Sequence, residues 1–357
     1  MDVRVAKLLR VEQHPQLSDS WFTARKTCIT ASSASSLLIR DRKTCEGYVL
    51  SYGLEDIFDY NNKCCNPYST KNQYFLDKCR GSTFKGNVAT YHGQKYESVV
   101  TDLYKNDTGK KVLEFGLIRH PELSWLAASP DGITEDGIMI EIKCPYKRKI
   151  TGVTPIYYFF QVQLQLETCD LDFCDFLEYE FVEFNTEEEW LDNDTLDKTF
   201  SNVGLMIQIE KKPEDHKMLA NPAENKYIYP PHDILDNVDL LLEWRSKQIQ
   251  DLKESTKPEY IDLIDIKVCY WKVGEKCNTR IERNKEWFAN VKPVFEKEWN
   301  LIKYYKKADN YKKLLKENYT VEGKHLHLDL DIDTDFVEDL ELCMLSESEE
   351  DVSEAEN

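Results

Sequence analysis

The chain has no apolar run of the roughly 18 residues that a membrane-crossing helix needs, so no such span is expected. Its first residues lack the long apolar stretch of a secretory signal, and we read the protein as one that works inside a cell. It contains 11 cysteines, an odd number, and no two are spaced as Cys-x-x-Cys. That pattern excludes a disulfide framework and any locally clustered zinc or iron–sulfur site, and mostly buried, reduced thiols are expected. Basic residues are scarce relative to acidic ones: 46 Lys and Arg against 65 Asp and Glu, a net charge of −19. Taken alone, this would exclude a nucleic-acid binder. However, 13 of the acidic residues fall between Asp329 and Asn357, where there is no Lys or Arg, and the body without them carries only −6. A mildly acidic body can still present a basic groove, because the local field matters more than the total. No internal repeat is apparent. What remains is a chain of 357 residues, 41% hydrophobic and 31% charged, as expected of a globular protein with ample core.

The most informative stretch begins with an apolar run, Trp125–Ala128, that ends in Ser129-Pro130-Asp131-Gly132, the composition of a sharp turn. After a short acidic loop comes a second apolar run, Ile138–Cys144, closed by Pro145. On a strand, Glu141 and Lys143 share one face, and Ile140, Ile142 and Cys144 share the other. Charges in a buried strand are costly unless something uses them. If the two runs pair as a hairpin, Asp131 sits at its mouth. Two carboxylates and a lysine suit a divalent metal and a water nucleophile, with the Ile142 carbonyl as a third oxygen ligand. The same residues also suit a type I turn and a surface ion pair.

Elsewhere, residues 1–17 read as a short helix and a loop. Trp21, Arg25 and Ile29 have helical spacing, and Thr30 or Ser32 can cap a helix running to about Leu38. Arg25 with that cap suits either an ordinary helix start or a phosphate site. Residues 59–86 read as a long polar, locally basic connection. Residues 89–104 have helical periodicity, with Glu97 beside the apolar stripe. Residues 111–118, 123–129 and 138–144 read as strands. The triplet Lys147-Arg148-Lys149 suits a nuclear-import patch, a solvated loop or a phosphate contact. Residues 156–167 alternate Gln161, Gln163 and Gln165 with apolar residues, a strand-like pattern. A helix is nevertheless assigned, because a parallel crossover needs one before the next strand at 171–179. Residues 185–230 read as an acidic, irregular insertion, 233–252 as a helix and 260–273 as a strand. Residues 282–318 read as a long helix interrupted near Pro293, and the acidic tail as disordered.

In this order the motifs resemble the phage lambda-type exonuclease and YqaJ-type viral recombinase nucleases of the PD-(D/E)xK superfamily, which include the alkaline nucleases of insect viruses. The matching residues are Trp21, Arg25 and Ile29–Ser32; Gly93 and Glu97; Ser129–Gly132; Glu141–Pro145; and Gln161–Gln163. The resemblance implies an α/β (α+β) restriction-endonuclease-like core, a central mixed sheet flanked by helices, with a C-terminal helical extension. It implies one nuclease domain over 1–325, with core at about 18–184 and 259–318, an insertion at about 185–258, and an acidic disordered tail at 326–357. By the same resemblance Asp131 and Glu141 hold Mg²⁺ (with Mn²⁺ as a substitute), Lys143 is the catalytic lysine, and Glu97 and Gln161 support the site. Arg25 and Ser32 match positions that hold the 5′-phosphate of the digested strand. The implied activity is 5′→3′ degradation of one strand of linear duplex DNA, leaving a 3′ single strand for recombination or viral DNA processing. The implied partner is a single-strand DNA annealing or binding protein, and the implied compartment is a host nucleus or cytoplasm. The insertion and tail depart from the family pattern, and the long C-terminal region argues against the ring-shaped trimer that phage members form. Two readings remain beside this one: an endonuclease with the same metal core, and a non-catalytic DNA-binding or interaction protein.

Overall fold

The computed structural model describes residues 1–38, 69–82, 86–192, 202–211, 222–255, 264–307 and 310–312. Asp2 and Ser18 cap α1 (Val3–Leu8) and α2 (Asp19–Arg25), each accepting a first-turn backbone N–H on a side-chain oxygen. After β1 (Ile29–Thr30) and the one-turn helix α3 (Ala31–Ala34) come α4 (Lys71–Arg80) and α5 (Val88–Thr108). Asn87 caps the start of α5, and Gly109 ends it with φ 66°, the left-handed conformation that glycine adopts without strain. Five short strands follow: β2 (Val112–Leu113), β3 (Ile118–Arg119), β4 (Leu126–Ala128), β5 (Gly132–Thr134) and β6 (Ile138–Lys143). The chain continues through α6 (Ile156–Cys169), β7 (Phe173–Phe184), α7 (Glu187–Leu191), β8 (Val203–Lys211) and β9 (Lys226–Ile228). Then come α8 (Val238–Glu254), β10 (Ile264–Glu282) and α9 (Lys285–Lys306).

The strands form a seven-stranded sheet of order β2-β5-β6-β7-β10-β8-β9 and a three-stranded sheet of order β1-β4-β3. Within the larger sheet only β6 and β7 run parallel. Parallel neighbours cannot be joined by a tight turn, and α6 makes the crossover between them. The result is a mixed α/β fold, with the central sheet flanked by helices. Because side chains alternate along β6, Ile140 and Ile142 pack with Tyr96, Val100 and Leu103 of α5, while Met139 packs with Val162 and Leu166 of α6. Glu141 and Lys143 therefore point toward α6. That helix is buried on nearly every side, and its alternating glutamines reflect different buried surroundings rather than a wet face. Among the described residues no helix is long and apolar enough to cross a membrane.

The structure departs from the sequence reading in several places. The Trp125–Ala128 run does not pair with the Glu141 strand, because β4 belongs to the smaller sheet and the hairpin partner of β6 is β5. The polar connection at 59–86 contains α4, whose Tyr74, Phe75 and Leu76 are buried, with Phe75 against Tyr305 of α9. These three buried residues are consecutive and show no helical period, and the surrounding Lys, Asn and Gln hide the helix. The region read as irregular at 185–230 contains β8, paired antiparallel with β10. Strand β10 extends past Val273 to Glu282, across a register irregularity between Val273 and Lys276. Pro293 lies inside α9 without ending it, since Trp287, Val291 and Phe295 hold a continuous buried stripe across it. The helix expected from Thr30 to about Leu38 is the single turn α3, and the Thr30 hydroxyl bonds to Ser33 Oγ rather than capping a backbone N–H. Residues 59–68 and the acidic tail at 326–357 lie outside the described residues.

Candidate active site

Glu141 is 1% exposed and surrounded by donors. Gln161 Nε2 donates to its Oε1 at 2.5 Å and Gln165 Nε2 to its Oε2 at 2.7 Å. Lys143, two residues along the same strand face, also bonds to Oε1. The two glutamines stand one helical turn apart on α6, so one face of that helix grips both carboxylate oxygens. Gln161 was identified from the sequence and Gln165 was not. The missed signal was the four-residue spacing, masked by the alternation of Gln with apolar residues. Gln163 is turned away from the site, donating to the Glu282 carbonyl and accepting from the Asn284 N–H.

Asp131 precedes β5 and reaches across the hairpin, where its Oδ2 accepts the Ile142 N–H at 2.7 Å. Burial, with repulsion from Glu141 and Glu97, pushes its carboxyl well above the usual range, against the pull of Lys143 and the Ile142 N–H. Glu97 enters from α5, and burial followed by repulsion from Glu141 raises its carboxyl too. Burial pulls the Lys143 ammonium down, but Glu141 and Asp131 more than offset this and hold it protonated. The cluster thus sets three carboxylates against one ammonium in a poorly solvated place. Such crowding is relieved by a cation. Among the described residues no three His, Cys, Asp or Glu side chains are gathered closely enough to clasp a metal by themselves. This donor set suits Mg²⁺, which takes one or two carboxylates and fills its remaining positions with water and substrate oxygens.

Arg25 and Ser32 also meet. Arg25 Nη2 donates to Ser32 Oγ at 3.3 Å, and its guanidinium lies 4.1 Å from the Trp21 ring centroid. Trp21 Nε1 in turn donates to Ser129 Oγ at 2.9 Å, which ties α2 to the turn that carries Asp131. Three further cations converge on the carbonyl end of α2. Lys78 donates to the Arg25 and Cys28 carbonyls, each at 2.6 Å. Arg119 donates to the Ala24 carbonyl at 3.3 Å, and Lys306 to that of Lys26 at 2.6 Å. Burial pushes the Lys78 amine down to about 7, helped by Arg25 and Lys306. The sequence gives no sign of this convergence, because α4, β3 and α9 supply the three side chains from distant positions.

Residues 59–172 match the family model of the YqaJ-like viral recombinase domain. Of the clusters described above, Glu97, Asp131, Glu141, Lys143 and both gripping glutamines lie inside the YqaJ-like segment, whereas Arg25 and Ser32 precede it. An uncharacterized protein of Acanthamoeba polyphaga mimivirus is 29% identical over 346 residues, 88% of this chain. The chain spans 57% of the length of that relative. Among solved structures, an alkaline exonuclease from Laribacter hongkongensis aligns over 84% of this chain and 97% of its own, at 17% identity and a TM-score of 0.41. A phage-related exonuclease from Haemophilus somnus aligns over 81% of this chain and 96% of its own, at 13% identity and a TM-score of 0.37.

Proposed function

We propose that this chain is a Mg²⁺-dependent deoxyribonuclease that degrades one strand of linear duplex DNA from its 5′ end by phosphodiester hydrolysis. The observation that carries the reading is the buried Glu141, held by Gln161 and Gln165, with Asp131 and Lys143 beside it. Asp131, Glu141 and the Ile142 carbonyl would hold the ion, with Glu97 at its flank. When bound, Mg²⁺ supplies Lewis-acid polarisation of the phosphoryl oxygen and lowers the pKa of an attacking water. The glutamines fix the Glu141 carboxylate so that both its oxygens keep one orientation. Lys143, kept protonated by its carboxylate neighbours, acts as a fixed positive charge that stabilises the phosphate as negative charge grows on it.

The Arg25–Ser32 pair is the proposed receptor for the 5′-phosphate. Arg119 and Lys306, and Lys78 when it is protonated, add positive charge at the carbonyl end of α2 that carries Arg25, and a terminal phosphate, with more charge than an internal one, gains most from that field. The product, a 3′ single strand, is suited to a single-strand annealing or binding protein, in keeping with the family's description as viral recombinases.

The test is timed digestion of end-labelled linear duplex, with 5′-phosphate or 5′-hydroxyl ends, with and without Mg²⁺, alongside a closed circle. Hydrolysis is expected only with the metal, only on the linear form, and faster from phosphorylated ends. Arg25→Ala is expected to reduce the preference for phosphorylated ends about tenfold, the loss of one charge-assisted contact. Cutting of the circle would favour an endonuclease, and hydrolysis of neither form would remove the enzymatic reading.

A further inference from the structure

Glu178 lies on β7 directly beside Lys143 in the parallel ladder, and on the same sheet face. It is 1% exposed. Arg148 Nη2 bonds to its Oε1, while its Oε2 is buried with no hydrogen-bond partner among the described residues. Arg148 belongs to the basic triplet after β6, but it differs from its neighbours: Lys147 and Lys149 are exposed and Arg148 is half-buried. The Arg148 guanidinium carbon lies 5.8 Å from the ring centroid of Tyr158 on α6, and Lys143 Nζ lies 4.9 Å from the same centroid. One aromatic ring thus carries two cations, one from the candidate catalytic strand and one from the loop that follows it. As a stabilising device the pair is a poor choice, because two buried apolar groups would serve a fold equally well. As a means of placing a cation it is effective, since the carboxylate is fixed in the sheet and the arginine is fixed to it.

We infer that Glu178 is a positioning residue that holds Arg148 beside Lys143, where the guanidinium contacts the phosphate undergoing cleavage. This rests on the nuclease reading above and adds a second positive charge to the phosphoryl oxygens. Bonds to Glu178 and to the Lys149 carbonyl use two of the five N–H donors of Arg148. The planar fork can then present a further edge to two phosphate oxygens at once, which a lysine cannot do.

The experiment measures single-turnover hydrolysis of linear duplex in Mg²⁺ by the full chain over a range of DNA concentrations, with metal-free binding of a fluorescent duplex read in parallel. Glu178→Gln and Arg148→Ala are each expected to lower the maximal rate about 100-fold, with half-saturation and metal-free binding within about threefold of wild type. The double variant is expected to be no slower than either single one, because the two residues act as a unit. Arg148→Lys is expected to recover only part of the rate, and Lys147→Ala to leave it unchanged. If Arg148→Ala alone fails to fold because Glu178 is stranded, the double variant, which removes both charges, decides the matter. An unaltered maximal rate in folded Glu178→Gln overturns the inference. A change confined to half-saturation in Arg148→Ala also overturns it, making Arg148 a DNA-backbone contact only. A wild type that leaves the duplex intact overturns the nuclease reading and this inference with it, whereas an active wild type silenced by Lys143→Ala keeps the two questions apart.

Discussion

Lys143→Ala and Asp131→Asn each leave duplex DNA bound and uncut: the expected loss is about 10³-fold or more in hydrolysis rate. The two lose activity for different reasons. Removing Lys143 takes away the one ammonium bonded to Glu141 among the described residues and leaves three carboxylates crowded together. Asp131→Asn keeps the shape and can still accept the Ile142 N–H, but removes a charge that a cation would need. Stability separates the two. Asp131 has a folded pKa raised above its unfolded value, so its ionisation works against folding once the pH exceeds the unfolded value. Asp131→Asn removes that cost and is expected to melt at or above the wild-type temperature at neutral pH, while Lys143→Ala is expected to melt lower. Thermal unfolding at pH 7 beside the hydrolysis assay checks both. Full activity in either variant, or a clear drop in melting temperature for Asp131→Asn, contradicts the assignment. A residue that costs stability and is needed for turnover follows the usual stability–activity trade-off of active sites.

Trp287→Ala is expected to destabilise the protein by about 3–5 kcal/mol, read from urea unfolding midpoints at constant slope. Trp287 is fully buried at the start of α9. Its ring stacks on Phe160 at 5.2 Å and meets Phe159 edge-on at 6.3 Å. Phe160 is adjacent to Gln161, so this aromatic contact sets the position of the helix that grips Glu141. The Trp287 indole N–H is buried with no hydrogen-bond partner among the described residues, so the ring contributes through packing. Trp287→Phe, which keeps an aromatic ring and leaves a smaller cavity, should therefore cost less than Trp287→Ala. A loss under about 1 kcal/mol in Trp287→Ala would show that α6 is held by other contacts.

The site was partly legible because its central residues lie on one strand and one helix. Glu141 and Lys143 stand out as charges in an apolar strand, and strand alternation places them on one face without any tertiary information. The α6 assignment depended on topology, since its residue pattern alone argued for a strand. Gln165 was hidden by that pattern, and Glu178 by the other acidic residues of its strand, Asp175, Glu180 and Glu183, among which it does not stand out. Lys78 and Lys306 were illegible for another reason: they bond to backbone carbonyls, which carry no sequence signature. The pairing of β4 was misread because Ser129-Pro130-Asp131-Gly132 carries the chain from one sheet to the other, and turn composition does not distinguish that from a hairpin.

The bond from Lys306 to the Lys26 carbonyl spans 280 positions of chain. During synthesis the strand and helix bearing Asp131, Glu141, Lys143 and the glutamines emerge long before α9 does. The carboxylate–lysine centre is thus encoded in one continuous stretch, whereas the set of donors at the carbonyl end of α2 is complete only when α9 has docked. No shorter nascent chain contains all the donors that brace that turn, so the assembly order of the two clusters is built into their distance along the sequence.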